Sequence, residues 1–243
     1  MTEIIKQAIY NADKTECLEI GYQVSSDNGY IQIVPFPPTI KKVPKTLPKK
    51  ITSLSWAFKG LQTSSVEGIQ NWDTSNVQTM ECMFYEAENF NQPIGHWNTS
   101  NVIDMNGMFF GAKSFNQPIG HWNTSNVTDM ANMFYNATSF NQDISNWDTS
   151  NIENMYCMFY NTERFNQPIG KWNVSKVKNK NNMLFGAKNF NQDLSNWDTT
   201  NIYHFKPPEK KLNFNSYQKT NWTNNKKTNK SKTYRKKKYG KNY

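Results

Sequence analysis

Tryptophan recurs at Trp72, Trp97, Trp122, Trp147, Trp172, Trp197 and Trp222, each 25 residues after the one before. A fixed period of this length means that one supersecondary unit is copied along the chain and that neighbouring copies stack. Other apolar residues keep the same period. Val77, Val102, Val127, Ile152, Val177 and Ile202 follow each tryptophan by five residues. Met80, Met105, Met130 and Met155 follow by eight, and Met83, Met108, Met133, Met158 and Met183 by eleven. Phe90, Phe115, Phe140, Phe165 and Phe190, each followed by Asn-Gln, precede Ile94, Ile119, Ile144, Ile169 and Leu194 by four.

A single copy buries little. About eight apolar side chains, at roughly 1.5–3 kcal/mol each when fully buried, face about 1–2 kcal/mol of backbone entropy for every residue ordered. One repeat alone is therefore unfolded, and stacking supplies the missing burial. Within a repeat, Val77, Met80, Met83 and Phe84 are spaced as one stripe of a short helix, with Thr74, Ser75 and Asn76 as N-cap chemistry and Gly111 or Gly186 as C-cap residues. Ile94 to Thr99 reads as a short strand led by Pro93. The predicted fold class is α/β: a leucine-rich-repeat-like solenoid with a short parallel strand ladder on one side, short helices on the other, and an N-terminal β-hairpin cap.

The ends differ from the middle. Leu18–Val24 and Tyr30–Val34 flank Ser25–Gly29 as a hairpin signal, and a proline-rich lead-in runs from Pro35 to Pro48. Ile51, Leu54 and Phe58 match Val77, Met80 and Phe84 with a one-residue offset. The chain therefore divides into a cap and lead-in at 1–50, the repeat array at 51–205, and a tail at 206–243 that reads as mostly disordered. Charge follows the same division. The formal net charge is +9, yet the tail holds thirteen basic residues against the single acid Glu209, and the remainder is mildly acidic. Such asymmetry marks an interaction tail and not a basic fold.

Low mean hydropathy, −0.83, and the lack of any run near 18 apolar residues exclude a membrane-spanning helix. No apolar segment of signal-peptide type opens the chain, and Cys17 lies in no lipid-attachment signal, so a cytoplasmic location is open. Cys82 and Cys157 share one slot three repeats apart, about 14 Å at 4.8 Å per rung, beyond disulfide reach.

Zinc-protease, phosphate-loop, nucleophile-elbow and CxxC signatures are missing, and no carboxylate pair has catalytic spacing. The chain reads as non-catalytic, with no cofactor, no metal and no small-molecule substrate. The residue after each tryptophan (Asp73, Asn98, Asn123, Asp148, Asn173, Asp198) alternates away from the buried ring and, with His96, His121 and Lys171 on its other side, forms the candidate ligand-binding face. His96 and His121 occupy one slot of adjacent repeats, but no third ligand recurs there to complete a metal site. The column Asn91, Asn116, Asn141, Asn166 and Asn191 is read as structural. In the tail, Lys232, Arg235, Lys236, Lys237 and Lys238, interleaved with tyrosines, suit a phosphate backbone or an anionic membrane.

The string W-[ND]-T-S-N-V-x-x-M-x-x-M-F-x-x-A-x-x-F-N-Q-x-I over residues 51–205, with its lysine- and proline-rich lead-in, resembles the BspA-like leucine-rich-repeat surface proteins. More narrowly, it resembles the mycoplasma lipoprotein-associated repeat family. The resemblance implies a surface-associated, often lipid-anchored protein of adhesion or antigenic variation, binding a host or cell-surface macromolecule, and it implies no catalytic residues.

The repeats come in two cassettes. Gln-Pro-Ile-Gly precedes His/Lys-Trp-Asn at Trp97, Trp122 and Trp172, and Gln-Asp-Ile/Leu-Ser precedes Asn-Trp-Asp at Trp147 and Trp197. Positions that switch together indicate exchange of whole repeats by recombination. Sequencing this locus across related strains is expected to show different repeat numbers; one fixed number would contradict the exchange.

Overall fold

The computed structural model describes residues 3–25 and 29–197, within a compact unit spanning Met1–Lys206. Five short strands form near the N-terminus: β1 (Glu3–Lys6), β2 (Ile9–Tyr10), β3 (Cys17–Glu19), β4 (Tyr22–Val24) and β5 (Ile31–Ile33). They build two small antiparallel sheets, ordered β1-β4-β5 and β2-β3. In the hairpin β4–β5, Tyr22 pairs with Ile33 and Val24 with Ile31.

From this cap the chain passes into stacked rungs through single parallel bridges. Gln32 pairs with Ser53, and Ser53 leads on through Thr79, Asp104, Asp129, Asn154 and Asn179, one residue per rung. The predicted α/β class is overturned. Among the described residues there is no α-helix and no parallel strand ladder; the helical content is one 3-10 turn, Ile69–Asn71.

The destination of the backbone amides explains why the stripe at Val77, Met80, Met83 and Phe84 is not helical. In a helix, the Phe84 N–H would donate to the Met80 carbonyl. Here it donates to Met108 in the next rung at 2.9 Å. Met80, Cys82 and Glu86 likewise donate to Asp104, Asn106 and Phe110. The intervening amides of Met83, Tyr85 and Ala87 turn back three residues, to Met80, Cys82 and Phe84. Every second amide thus stitches one rung to the next, and the others close successive tight turns. The alternation recurs with Met105, Gly107, Phe109 and Gly111, and again with Met130, Asn132, Phe134 and Asn136.

A turn whose third residue has positive φ is type II and favours Gly or Asn there. Those third residues are Cys82 (φ 51°) and Glu86 (φ 56°), and then Gly107, Gly111, Asn132, Asn136, Asn161, Asn182 and Gly186 at the equivalent slots. The glycines read as helix caps are turn residues. The predicted strand from Ile94 to Thr99 is also replaced by turns, closed by Trp97 N–H on the Ile94 carbonyl at 3.2 Å and Val102 N–H on Thr99 at 2.9 Å.

The interior consists of columns of identical side chains. Phe84, Phe109, Phe134 and Phe159 are fully buried and stack at 5.5–5.7 Å between ring centroids. Phe90 through Phe190 form a second column, at 5.9–6.1 Å. Trp122, Trp147, Trp172 and Trp197 form a third, at 6.2–6.5 Å. Apart from the buried Trp197 indole nitrogen, buried side-chain polar atoms find partners, many of them across rungs: the indole N–H of Trp122 donates to the Ile94 carbonyl and that of Trp147 to Ile119, while the hydroxyls of Thr99 and Thr124 donate to Asn123 and Asp148 carbonyls.

The structure also gives the cassettes a physical basis. Asp143 and Asp193 accept the amides of Ser145 and Ser195 in a local turn, which the proline cassette cannot make and replaces with Pro-Ile-Gly. In the proline cassette a Cβ at Gly95, Gly120 or Gly170 would stand 2.2–2.4 Å from the carbonyl oxygen of Pro118, Asp143 or Asp193 in the next rung, so glycine is required there.

Left-handed backbone at the second turn slot has a consequence for stability. At Gly111 (φ 68°) a Cβ would meet Glu86 atoms no closer than 3.4 Å, so the cost of Gly111→Ala is that of the left-handed backbone, about 1 kcal/mol. Glu86→Gly relieves the same strain and is expected to stabilise by up to about 1 kcal/mol. Urea unfolding of both variants checks this; unchanged or raised stability of Gly111→Ala, or a loss in Glu86→Gly, would contradict left-handed backbone at this slot.

Candidate functional site

The residues on either side of the buried tryptophans from Trp72 to Trp172 are exposed. Asp73, Asn98, Asn123, Asp148 and Asn173 form one exposed column, and His96, His121 and Lys171 another. The first column is engaged in local structure: Asp73, Asn98, Asn123, Asp148 and Asn173 each accept the amide of the serine two residues on, at 2.9–3.0 Å. These bonds hold the Asp73 and Asp148 carboxyls below the usual carboxylate range, through the hydroxyls and amides of Ser75 and Ser150. His96 is tied to the previous rung through its Nε2, 2.8 Å from the Gln70 carbonyl oxygen. Asp198 and the tail cations Lys232, Arg235, Lys236, Lys237 and Lys238 lie outside the described residues.

The asparagine column is backbone-directed. The side-chain oxygens of Asn91, Asn116, Asn141 and Asn166 each accept the amide of the equivalent asparagine in the next rung at 2.9–3.0 Å, together with the following glutamine's amide group.

A surface feature that the sequence reading did not single out is the column thirteen residues after each tryptophan: Tyr85, Phe110, Tyr135, Tyr160 and Phe185. All five rings are partly exposed, and they stack nearly parallel at 4.5–4.8 Å. Trp56 tilts against Tyr85 at 5.4 Å, and the Lys59 ammonium lies over both rings. The signal was present as an aromatic residue directly after Phe84, Phe109, Phe134 and Phe159; reading Met-Phe-Tyr as part of a helix hid that the two aromatics point opposite ways.

Titratable groups are sparse. Cys17, Cys82 and Cys157 are free and buried; burial pushes the Cys82 thiol up to about 12 and the Cys17 thiol up to about 11, which removes the thiolate a nucleophile needs. A shallow groove of about 490 Å³ is lined by Lys49, Lys50, Thr52, Asn76, Gln78, Asn101 and Ile103. Among the described residues, no group of three or more His, Cys, Asp or Glu side chains is placed to hold a metal.

Asp104 and Asp129 follow one another in the bridge column. Burial, and secondarily the charge of Asp129, raises the Asp104 carboxyl above its ordinary value. A raised folded-state value means that Asp104 favours folding only below its unfolded value, and that this contribution is lost as pH rises through the folded value. Asp104→Asn keeps an acceptor for the Asn106 amide, bonded at 2.8 Å, and matches Asn154 and Asn179 in the same column. It is expected to raise stability at pH 7, with the gain vanishing as pH falls through the carboxylate range. Equal gains at pH 7 and pH 3 in thermal unfolding would contradict this.

No curated protein and no solved structure matches the chain. One protein-family profile matches twice, over residues 52–163 and 143–242, and is described as a Mycoplasma protein of unknown function, DUF285. The second match runs through the basic tail, so the family resemblance extends beyond the array delimited from the tryptophan period. With the two matches together covering more than half of the sequence, the chain belongs to the DUF285 mycoplasma repeat family.

Proposed function

We propose that the chain is a non-catalytic, solenoid-like repeat scaffold for protein–protein interaction, with surface adhesion or antigenic display as its setting. The observation that carries this is a division between fixed and variable columns. Interior slots repeat phenylalanine, methionine and tryptophan rung after rung, fully or almost fully buried. Two outward-facing columns, exposed or partly exposed, change at every step: Gln78, Ile103, Thr128, Glu153 and Lys178 in one, and Glu88, Lys113, Thr138, Glu163 and Lys188 in the other. Across-rung ion pairs such as Lys113–Glu88 at 2.8 Å show that even opposite charges are accommodated without disturbing the stack, and exposed pairs of this kind contribute little to stability. A frame that holds its core and varies its surface suits recognition, and solenoids present such surfaces to partners. The motif likeness to BspA-like surface proteins supports the same reading.

The charge division favours a second reading. Thirteen basic residues with interleaved tyrosines in 206–243 suit an intracellular nucleic-acid partner or an anionic membrane. Protease treatment of intact source cells separates the two. Loss of the full-length protein from intact cells supports surface display; protection until lysis contradicts it and directs attention to the tail, whose binding to nucleic acid would fall steeply with salt.

A further inference from the structure

Unpaired positive charge gathers at the shallow groove on the first rungs. Between Asn28 and Val66 the sequence holds six lysines and no acid. Lys42 is paired with Glu16, and the Lys59 ammonium is held over Trp56 and Tyr85. Lys41, Lys45, Lys49 and Lys50 form no ion pair among the described residues. Of these, Lys49 and Lys50 line the groove, and no carboxylate does. Asp73 feels the Lys49 charge, yet its carboxylate is committed to Ser75. Lys50 lies 5.1 Å over the Tyr22 ring, a contact that positions an ammonium without cancelling its charge. The columns that wall the groove run on to Lys176 and Lys178, but those are bonded to Asn151 and Glu153.

The neutral groups of the groove suit a polypeptide. Asn76 and Asn101 each use a side-chain N–H on a carbonyl of the preceding rung, those of Lys49 and Ser75, which leaves their side-chain oxygens as acceptors. The Thr52 hydroxyl oxygen accepts the Ile31 amide and keeps its own hydrogen to donate. Gln78 uses its backbone groups on Thr52 and Ile103, while its side-chain amide enters no hydrogen bond among the described residues. Ile103, 38% exposed, adds an apolar contact. From Thr52 to Ile103 is two rung steps, about 10 Å at 4.8 Å each, which is the length of about three extended residues. No aromatic ring lines the groove, so the bases of a nucleic acid find no platform, and the flat surface of a bilayer cannot enter it.

We propose that this groove binds an extended acidic peptide segment of a partner protein. Its carboxylates meet Lys49 and Lys50, and its main chain lies against Asn76, Gln78 and Asn101. The unpaired Lys41 and Lys45 on the neighbouring lead-in draw such a segment in. The proposal rests on the scaffold reading above for its class of partner and deepens it, since Gln78 and Ile103 belong to a column that changes from rung to rung.

Amide chemical-shift changes in the deuterated, nitrogen-15-labelled full chain test this, because they report the groove and the basic tail separately. The probes are an acetylated Glu-Ser-Glu-Ser-Glu amide, its counterpart with glutamine for glutamate, and a thymidine pentanucleotide. The acidic peptide is expected to shift the Thr52, Asn76, Gln78 and Ile103 amides saturably, and the glutamine peptide to bind there about tenfold more weakly. Lys49→Glu with Lys50→Glu should weaken the acidic peptide about tenfold, whereas Lys236→Glu with Lys237→Glu in the tail should leave the groove shifts unchanged. Gln78→Lys adds a cation to the groove wall and should strengthen binding several-fold, a gain that no loss of folding can imitate. Shifts confined to the tail, equal binding of the glutamine peptide, equal binding of the pentanucleotide in the groove, or indifference to the Lys49, Lys50 and Gln78 variants would overturn the proposal. These results come from purified protein and are independent of where it resides, so failure here is distinguishable from failure of the display reading.

Discussion

Each rung is held to the next by amides that alternate in destination. In the segment from Met130 to Asn136, every second N–H reaches forward to a carbonyl of the following rung, and the ones between close a turn. Backbone donors in a packed interior must be paired, and this arrangement pairs them with neither a helix nor a strand. It needs two positive-φ residues per rung, at the slots of Cys82 and Glu86, and it sets the rise that the columns inherit. The phenylalanine and tryptophan stacks, the threonine hydroxyls on neighbouring carbonyls and the asparagine ladder all follow from adjacent rungs lying in register.

The same register governs the surface. A side chain that points outward in one rung has its equivalents directly above and below, so columns and not isolated residues are the units a partner meets. The exposed column beside the tryptophans carries side chains whose oxygens are already committed to their own turns, which leaves it as shaped surface more than as a set of free hydrogen-bonding groups. The aromatic column has a different character: its rings lie against one another from rung to rung, and the slots directly beside them carry no charge from Asn106 to Gly186.

The period, the core columns and the hairpin strands around Tyr22 and Ile33 were readable from the sequence, because periodicity reports which residues share an environment. Periodicity does not report backbone conformation. Spacings of 0, 3, 6 and 7 satisfy a helix stripe, and they equally satisfy a run of turns whose buried side chains recur every three or four residues. The discriminating signal was the composition of two slots, Gly107 with Asn132 and Asn182, and Gly111 with Asn136, Asn161 and Gly186. These are residues that a helix tolerates poorly and a left-handed turn position favours. Glu86, Cys82 and Cys157 at the same slots obscured it. The candidate face was legible as exposed positions beside Trp97 and Trp122, whereas the engagement of Asn98 and Asn123 with the following serines required coordinates.

The central claim is that amides in the Met130–Asn136 segment bond forward to the next rung. Through-hydrogen-bond scalar couplings on deuterated, isotope-labelled protein report donor and acceptor directly. The account predicts couplings from the Met130 amide to the Asn154 carbonyl and from Phe134 to Met158, across 24 residues of sequence. Couplings from Phe134 to Met130, four residues back, would restore the helix and contradict the stacked-turn structure.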